Sequence, residues 1–275
     1  MSFRSTLVTW LDENAPSVIG TARYRYHVGI KGDIVHPMVT RELFTRLGSR
    51  NAAAIDVGAN VGIFTRYLAS HFAQVIAVEP IPYLADRLLR SSPSNVKVEP
   101  IALGGSNGTV KLRVPVDAAG REMPALSTAA HGNKLAFIRN AGFIERQVKM
   151  KTLDDIVLKS TNLAFVKIDV EGFEASVLEG STVMLTKERP VIQLEIGRAH
   201  NPDYLDILSL LKSFDYQAFA LQKDGLYSNV HRFIEAQPVE VADADAASPQ
   251  GCWDYLFVPS ELAGTLTAGL VRADP

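Results

Sequence analysis

The chain has a single cysteine, Cys252, so no disulfide forms within it, and a reducing compartment is the expected setting. It also has no excess of one charge: 28 Lys and Arg stand against 30 Asp and Glu, a net charge of −2. That balance gives no general attraction to nucleic acid or to an anionic membrane surface. Glycine and proline are too few, at 19 and 14, for a collagen-like or low-complexity chain. No uncharged apolar run approaches the length a bilayer requires. The amino-terminal MSFRSTLVTWLDENAPS carries Asp12 and Glu13 where a signal peptide would extend its apolar segment. No cysteine cluster or His-Glu pair suggests zinc, and no Gly-Lys pair supports a phosphate-binding P-loop. What is present is a 47% hydrophobic fraction spread over 275 residues, enough for a sizeable core. The expectation is a cytoplasmic globular protein without a transmembrane segment.

Three regions differ in pattern. Residues 1–50 read as a helical cap, with Met38, Leu43, Phe44 and Leu47 of 38–47 on one helical face. Residues 51–222 alternate short Val- and Ile-rich runs with amphipathic stretches. The runs are 52–57, 74–79, 96–101, 163–170 and 191–196, and helices are expected at 61–71, 82–91, 173–179 and 202–213. Two runs, AAAIDV and LAFVKIDV, are almost wholly apolar, as in strands covered on both faces. Such alternation predicts an α/β architecture with a mostly parallel sheet and helices on both sides. The segment 109–150 interrupts the rhythm with two alternating strands, 109–114 and 146–151, and reads as an insertion into a main domain spanning 51–275. CWDYLFV at 252–258 is the last strand expected, and 239–250 reads as an exposed acidic loop.

The most informative stretch is Ile55-Asp56-Val57-Gly58-Ala59-Asn60-Val61-Gly62-Ile63-Phe64-Thr65. A buried strand ends at Val57, a small-residue loop follows, and a helix is expected from near Val61. Gly58 and Gly62 permit unusual dihedrals and close approach of a ligand to the backbone. Loops of this kind bind nucleotides at the carboxyl edge of an open sheet. The dinucleotide fingerprint fails, because the line reads Gly58-x-Asn60-x-x-Ile63. Asp56 is also poorly placed for a pyrophosphate and well placed for a cation. S-adenosylmethionine carries a sulfonium and an amino group and has no phosphate. The next strand ends in Glu79-Pro80, and a carboxylate there accepts both hydroxyls of a ribose. Farther along, Asp169 ends a buried strand and is expected to face the ligand cleft.

Asp56-Val-Gly-Ala-Asn-Val-Gly-x-Phe-Thr65, Val78-Glu79-Pro80, Thr152-Leu-Asp-Asp155, Val166-Lys-Ile-Asp-Val-Glu-Gly-Phe-Glu174, Val177-Leu-Glu-Gly180 and Leu194-Glu195 occur in this order. Together they resemble the FkbM family of S-adenosylmethionine-dependent methyltransferases, over about residues 51–197. The resemblance implies a class I methyltransferase, Rossmann-like seven-stranded sheet with an antiparallel last strand. It also implies O-methylation of a hydroxyl on a sugar, glycoconjugate or polyketide-type acceptor. By position, Gly58, Asn60 and Gly62 would hold the methionine moiety, Glu79 the ribose, and Ala102 would border the adenine. Asp56, Pro80 and Asp169 complete the expected cofactor site. Asp169 is the first candidate general base, with Glu171 and His200 as alternatives, and Glu174 is expected to serve structure, near a helix start. Asp169 and Glu195 stand at neighbouring strand ends, but two carboxylates are a thin ligand set, and no metal is expected. Arg121, Ser127, Thr128 and His131, with Tyr24, Tyr26 and His27, are candidates to cover the acceptor.

Two rival functions are a nicotinamide-dependent oxidoreductase on the same kind of sheet and a non-catalytic S-adenosylmethionine-binding protein. Gly104-Gly105-Ser106-Asn107-Gly108 matches a nucleophile-elbow pattern, but a strand pattern follows it, so a turn is expected there. No nucleic-acid partner is expected, and no pattern in the sequence bears on oligomeric state.

Overall fold

A computed structural model of the chain describes residues 37–130, 142–157, 162–198, 201–222, 224–237 and 253–273. In chain order the first elements are α1 (Pro37–Arg46), β1 (Ala53–Val57), α2 (Ile63–Ala69), β2 (Gln74–Val78), α3 (Pro82–Ser91), β3 (Val96–Glu99) and β4 (Ala102–Leu103). There follow β5 (Gly108–Val116), β6 (Gly142–Lys151), α4 (Leu153–Val157), β7 (Leu163–Ile168), α5 (Glu174–Glu179) and β8 (Val191–Glu195). The chain ends with α6 (Tyr204–Ser213), β9 (Tyr216–Gln222), β10 (Gly225–Tyr227), α7 (Val230–Glu235), β11 (Asp254–Pro259) and α8 (Ser260–Leu266). The acidic stretch 239–250 lies outside the described residues.

The main sheet has the order β10-β9-β11-β8-β7-β1-β2-β3. β3, β2, β1, β7 and β8 run parallel, and β11 is antiparallel to both β8 and β9. The sheet therefore has the expected antiparallel last strand but eight strands rather than seven. The eighth, β10, folds back on β9 from Gly225↔Gln222 to Tyr227↔Ala220. At three residues it is too short to show a strand period, and it is held from its far side by Leu226 N to Leu270 O and Arg272 N to Leu226 O.

All five residues of β1 are buried, as its continuous apolar run requires of a strand covered on both faces. On one face, α5, α6 and α7 pack Val177, Leu178, Ile207, Leu211, Phe233 and Ile234 against Ile55, Val166, Ile168 and Leu194. On the other, α1, α2 and α8 pack Leu43, Phe44, Tyr67, Leu68 and Leu266 against Ala54, Phe165 and Leu256. The Phe44 ring lies 4.9 Å from those of Phe72 and Phe165, so α1 shares the core of the sheet. α3 opens on Pro82, whose fixed φ suits a first helical position, and buries Leu84, Ala85, Leu88 and Ser91 on one face.

The segment read as an insertion is a long ribbon. β5 and β6 pair from Gly108↔Met150 to Val116↔Gly142, and β4 adds a parallel edge to β6. Its Leu112, Val114 and Val148 pack with Ile81 and Leu84, and this seats the ribbon over α3. Gly104–Asn107 form the connection into β5, a turn followed by a strand as expected.

Candidate active site

The parallel strands end together, and their carboxyl ends open into two cavities of about 260 Å³ each. Gly58, Asn60, Asp169 and Glu195 belong to the walls of both.

The loop after β1 is shaped by its neighbours as much as by any ligand. Gly58 has φ +83°, and a Cβ on it would lie 1.9 Å from the backbone oxygen of Asp169. Its glycine is thus required by the end of β7, which crosses at this point with Asp169 N donating to Val57 O at 3.1 Å. Gly62, φ +81°, precedes α2, which starts at Ile63 rather than near Val61; a Cβ on Gly62 would lie 2.4 Å from Leu88 Cδ2. The unusual dihedrals expected at both glycines are present, and on the side a Cβ would occupy the space is taken by backbone at Gly58 and by α3 at Gly62. Asn60 takes φ +50°, and its amide donates to Glu79 Oε2 at 2.8 Å.

Glu79 is 4% exposed and reaches the first cavity from the end of β2. Its Oε1 accepts the Ile81 amide at 2.8 Å, and each oxygen keeps a lone pair for a further donor. Burial pushes this carboxyl up to about 7, against the pull of the two amides. Beside it lie Pro80, Ile101, Ala102, Leu103 and Leu112, an apolar slot for a flat ring. Phe173, Glu171 and Ser127 also line this cavity. Ser127 Oγ is buried without a hydrogen-bond partner among the described residues.

The second cavity lies under the start of α2 and is strongly charged. Asp56, Lys167, Gln193, Glu195 and Asp254 line it, with Phe64 at its side. The strand register explains the row: Asp56 is opposite Lys167, Lys167 opposite Gln193, and Glu195 opposite Asp254. Asp56 is fully buried; Oδ2 accepts from Thr65 Oγ1 at 2.6 Å, and Oδ1 has no partner among the described residues. Burial raises its pKa, and Lys167 opposes that rise. Gln193 donates Nε2 to Asp254 Oδ1 at 2.7 Å and leaves Oε1 unpartnered. Lys167 Nζ contacts Asp169 Oδ2 at 2.6 Å. Burial alone would push its ammonium down, but Asp169, Asp56 and Glu195 together hold it above its ordinary value.

Of the expected site residues, Gly58, Asn60, Glu79, Pro80, Ala102, Asp169 and Glu171 line the first cavity. Asp56 lines the second, together with Gly58, Asn60 and Asp169. Gly62 lines neither. His200 lies outside the described residues, as do His131, Tyr24, Tyr26 and His27. Arg121 is exposed and paired with Asp117, and Thr128 is buried in a backbone pair with Arg113. Glu174 is wholly structural in its contacts: Oε1 accepts the amides of Val170 and Gly172, and Oε2 accepts from Asn201 Nδ2 at 2.5 Å. It fixes the turn in which Glu171 and Gly172 both take positive φ. Sequence reasoning overlooked Lys167, Gln193 and Asp254. Lys167 was visible as a charge inside an otherwise apolar strand, which needs a buried partner.

Among the described residues no group of three His, Cys, Asp or Glu is arranged to hold a metal ion, and no helix is long and apolar enough to cross a membrane. A family model, the methyltransferase FkbM domain, matches residues 56–218, more than half of the chain. The chain belongs to the FkbM methyltransferase family. The methyltransferase sdnD of Sordaria araneosa is 27% identical to it over 200 residues, 61% of this chain and 76% of that protein. Among solved structures, methyltransferase FkbM from Methylobacillus flagellatus KT is similar at 16% identity and a TM-score of 0.44, over 91% of this chain; the match spans 57% of that longer chain. The O-methyltransferase TomG from Streptomyces achromogenes, solved in complex with SAM, is similar at 9% identity and a TM-score of 0.40, over 94% of this chain and all of that one.

The cofactor of this FkbM domain is S-adenosylmethionine, and the two cavities fit it. Glu79 has lone pairs for two ribose hydroxyls, and the slot at Ala102 suits a base. The two acceptors without a partner among the described residues, Asp56 Oδ1 and Gln193 Oε1, call for a hydrogen-bond donor rather than an anion, and an amino group meets that need.

Proposed function

We propose that this methyltransferase acts on oxygen, transferring a methyl group to a hydroxyl of a small molecule, with sugars, glycoconjugates and polyketide-type compounds as the acceptor classes. The observation that carries the reading is the group of carboxylates Asp169, Glu171 and Glu195 in the same cavity as Glu79 and Ala102. A hydroxyl is a poor nucleophile until its proton is leaving, and a positioned carboxylate contributes about a hundredfold to ten-thousandfold by taking it. S-adenosylmethionine supplies an electrophilic methyl group on a sulfonium, to be displaced in line. The chain's own task is to align the acceptor and exclude water. Ser127 and the ribbon above α3 are suited to the acceptor side, since a buried hydroxyl without a partner awaits one from a ligand. The lone cysteine favours a cytoplasmic setting.

Calorimetric titration tests the reading. S-adenosylmethionine is expected to bind at micromolar concentration and NADH not at all. Glu79→Ala should weaken binding between about tenfold and a hundredfold, the worth of hydrogen bonds to a buried charge. A screen of sugar and polyketide hydroxyls, followed by release of S-adenosylhomocysteine, then finds the acceptor. NADH binding alone would replace the reading with an oxidoreductase. Tight S-adenosylmethionine binding without turnover across the panel would leave a binding protein.

A further inference from the structure

Four carboxylates and one ammonium meet at the ends of β1, β7, β8 and β11. Three of the acids are already engaged: Asp56 by Thr65, Asp169 by Lys167 and Asp254 by Gln193. Glu195 differs. Among the described residues no donor hydrogen-bonds its carboxylate, and it is a wall of both cavities. Asp169 also borders both. Asp169, however, is already engaged by Lys167 at 2.6 Å in a partly buried pair, and taking a proton there would give up that partner. Glu195 takes a proton without losing a partner.

We propose that Glu195, rather than Asp169, is the proton acceptor of the transfer site, and that the positive charge of the bound cofactor arms it. The inference rests on the cofactor assignment and the transfer to oxygen argued above. Every group facing Glu195 bears on its charge. Burial raises its carboxyl well above the ordinary range; Asp169, Asp254 and Glu171 push in the same direction, and Lys167 opposes them. Asp56 acts from beyond Lys167, and Gln193 is neutral. In the cofactor-free protein these surroundings favour the protonated acid over the anion. Positive charge brought into the adjoining space favours the anion and expels that proton to solvent. During transfer the acceptor oxygen bonds to the methyl carbon, the electron pair of the broken bond goes to sulfur, and the hydroxyl proton moves to a Glu195 carboxylate oxygen. The acid then returns it to water. The methyl donor thus shifts this carboxyl toward the anion that takes the proton.

The test needs no acceptor. S-adenosylmethionine is titrated calorimetrically at pH 7 in two buffers of different ionisation enthalpy, which reports protons released on binding. The wild-type protein should release on the order of one proton per molecule bound. Glu195→Gln should release markedly less and bind S-adenosylmethionine more weakly, because the proton expelled and the affinity gained from the anion are linked. Glu79, which burial holds at about 7, gains donors from the ribose and adds a share of its own, so the release lost in Glu195→Gln is read against that lost in Glu79→Gln, which should be the smaller. Unchanged release in Glu195→Gln, or a larger loss in Glu79→Gln, assigns the proton elsewhere and overturns the proposal. Wild-type protein that fails to bind S-adenosylmethionine sinks the functional reading instead. In turnover with a hydroxyl acceptor from the screen, Glu195→Gln should lower kcat by about a hundredfold or more. A variant that keeps wild-type kcat also overturns the proposal.

Discussion

Gly58 sits where two loops of the site touch. An added Cβ meets the Asp169 carbonyl at 1.9 Å, with backbone rather than a flexible side chain as the obstacle. The left-handed φ costs a non-glycine residue about 1–2 kcal/mol by itself. Separating β1 from the end of β7 adds to that cost. Gly58→Ala is therefore expected to lower stability by roughly 3 kcal/mol or more in urea unfolding, a cost of the kind special backbone positions carry. A variant unfolding within 0.5 kcal/mol of wild type, about the spread of neutral surface changes, would show that the strand ends part easily. The motif residues Gly58, Asn60 and Glu79 were legible in the sequence because a tight turn and a strand-end acid leave local marks. The unpartnered acceptors Asp56 Oδ1 and Gln193 Oε1 were not, since Gln193 meets Asp56 only through the cross-strand register with Lys167.

At the scale of elements, the Thr152-Leu-Asp-Asp155 motif is a joint rather than a site. Thr152 Oγ1 accepts the Asp155 amide and donates to its carboxylate, which starts α4. Asp154 reaches away from α4 and accepts the amides of Val183 and Met184, both at 2.8 Å, at the start of the π-helical turn Met184–Glu188. Asp154→Ala leaves two amides without their acceptor and is expected to cost about 1–3 kcal/mol in thermal or urea unfolding. S-adenosylmethionine affinity should be unchanged by calorimetry, and a matching loss there would mean that the joint also shapes the cavity. The helices with clear apolar spacing, α1, α3 and α6, were read to within two residues. By contrast, β9, β10, α7 and α8 were missed. β10 has three residues and α7 has six, too few to display a period.

Over the whole molecule, buried acids set the response to pH. Burial pushes Glu79 and Glu174 up to about 7 from an unfolded value near 4.5. A raised carboxyl favours the folded state most when protonated. That advantage is complete below pH 4.5 and is lost as pH rises through 7. The exposed acids held low by partners, Asp117, Glu145, Asp155 and Glu261, act in the opposite sense, below that window. The melting temperature of the cofactor-free protein is therefore expected to fall from pH 4.5 to pH 8. Glu174→Gln should flatten that fall and lower the melting temperature overall, since turning Asn201 over to meet the new amide gives up the Gly197 N–H that its Oδ1 accepts at 3.1 Å. A melting temperature that rises across this range would refute the account.

The contact between Gly58 and the end of β7 locks the methyl-donor corner into a single unit, because neither loop moves without the other. The ribbon of β5 and β6 is held by backbone only at its base, where Gly104 N donates to Lys151 O and a Cβ on Gly180 would lie 2.2 Å from Gly104 O, and over α3 it rests on side chains. Novelty in this architecture is thus free to accumulate on one bank of the cleft while the other stays fixed. Descendants of such a protein would change what they decorate long before they change what they decorate it with.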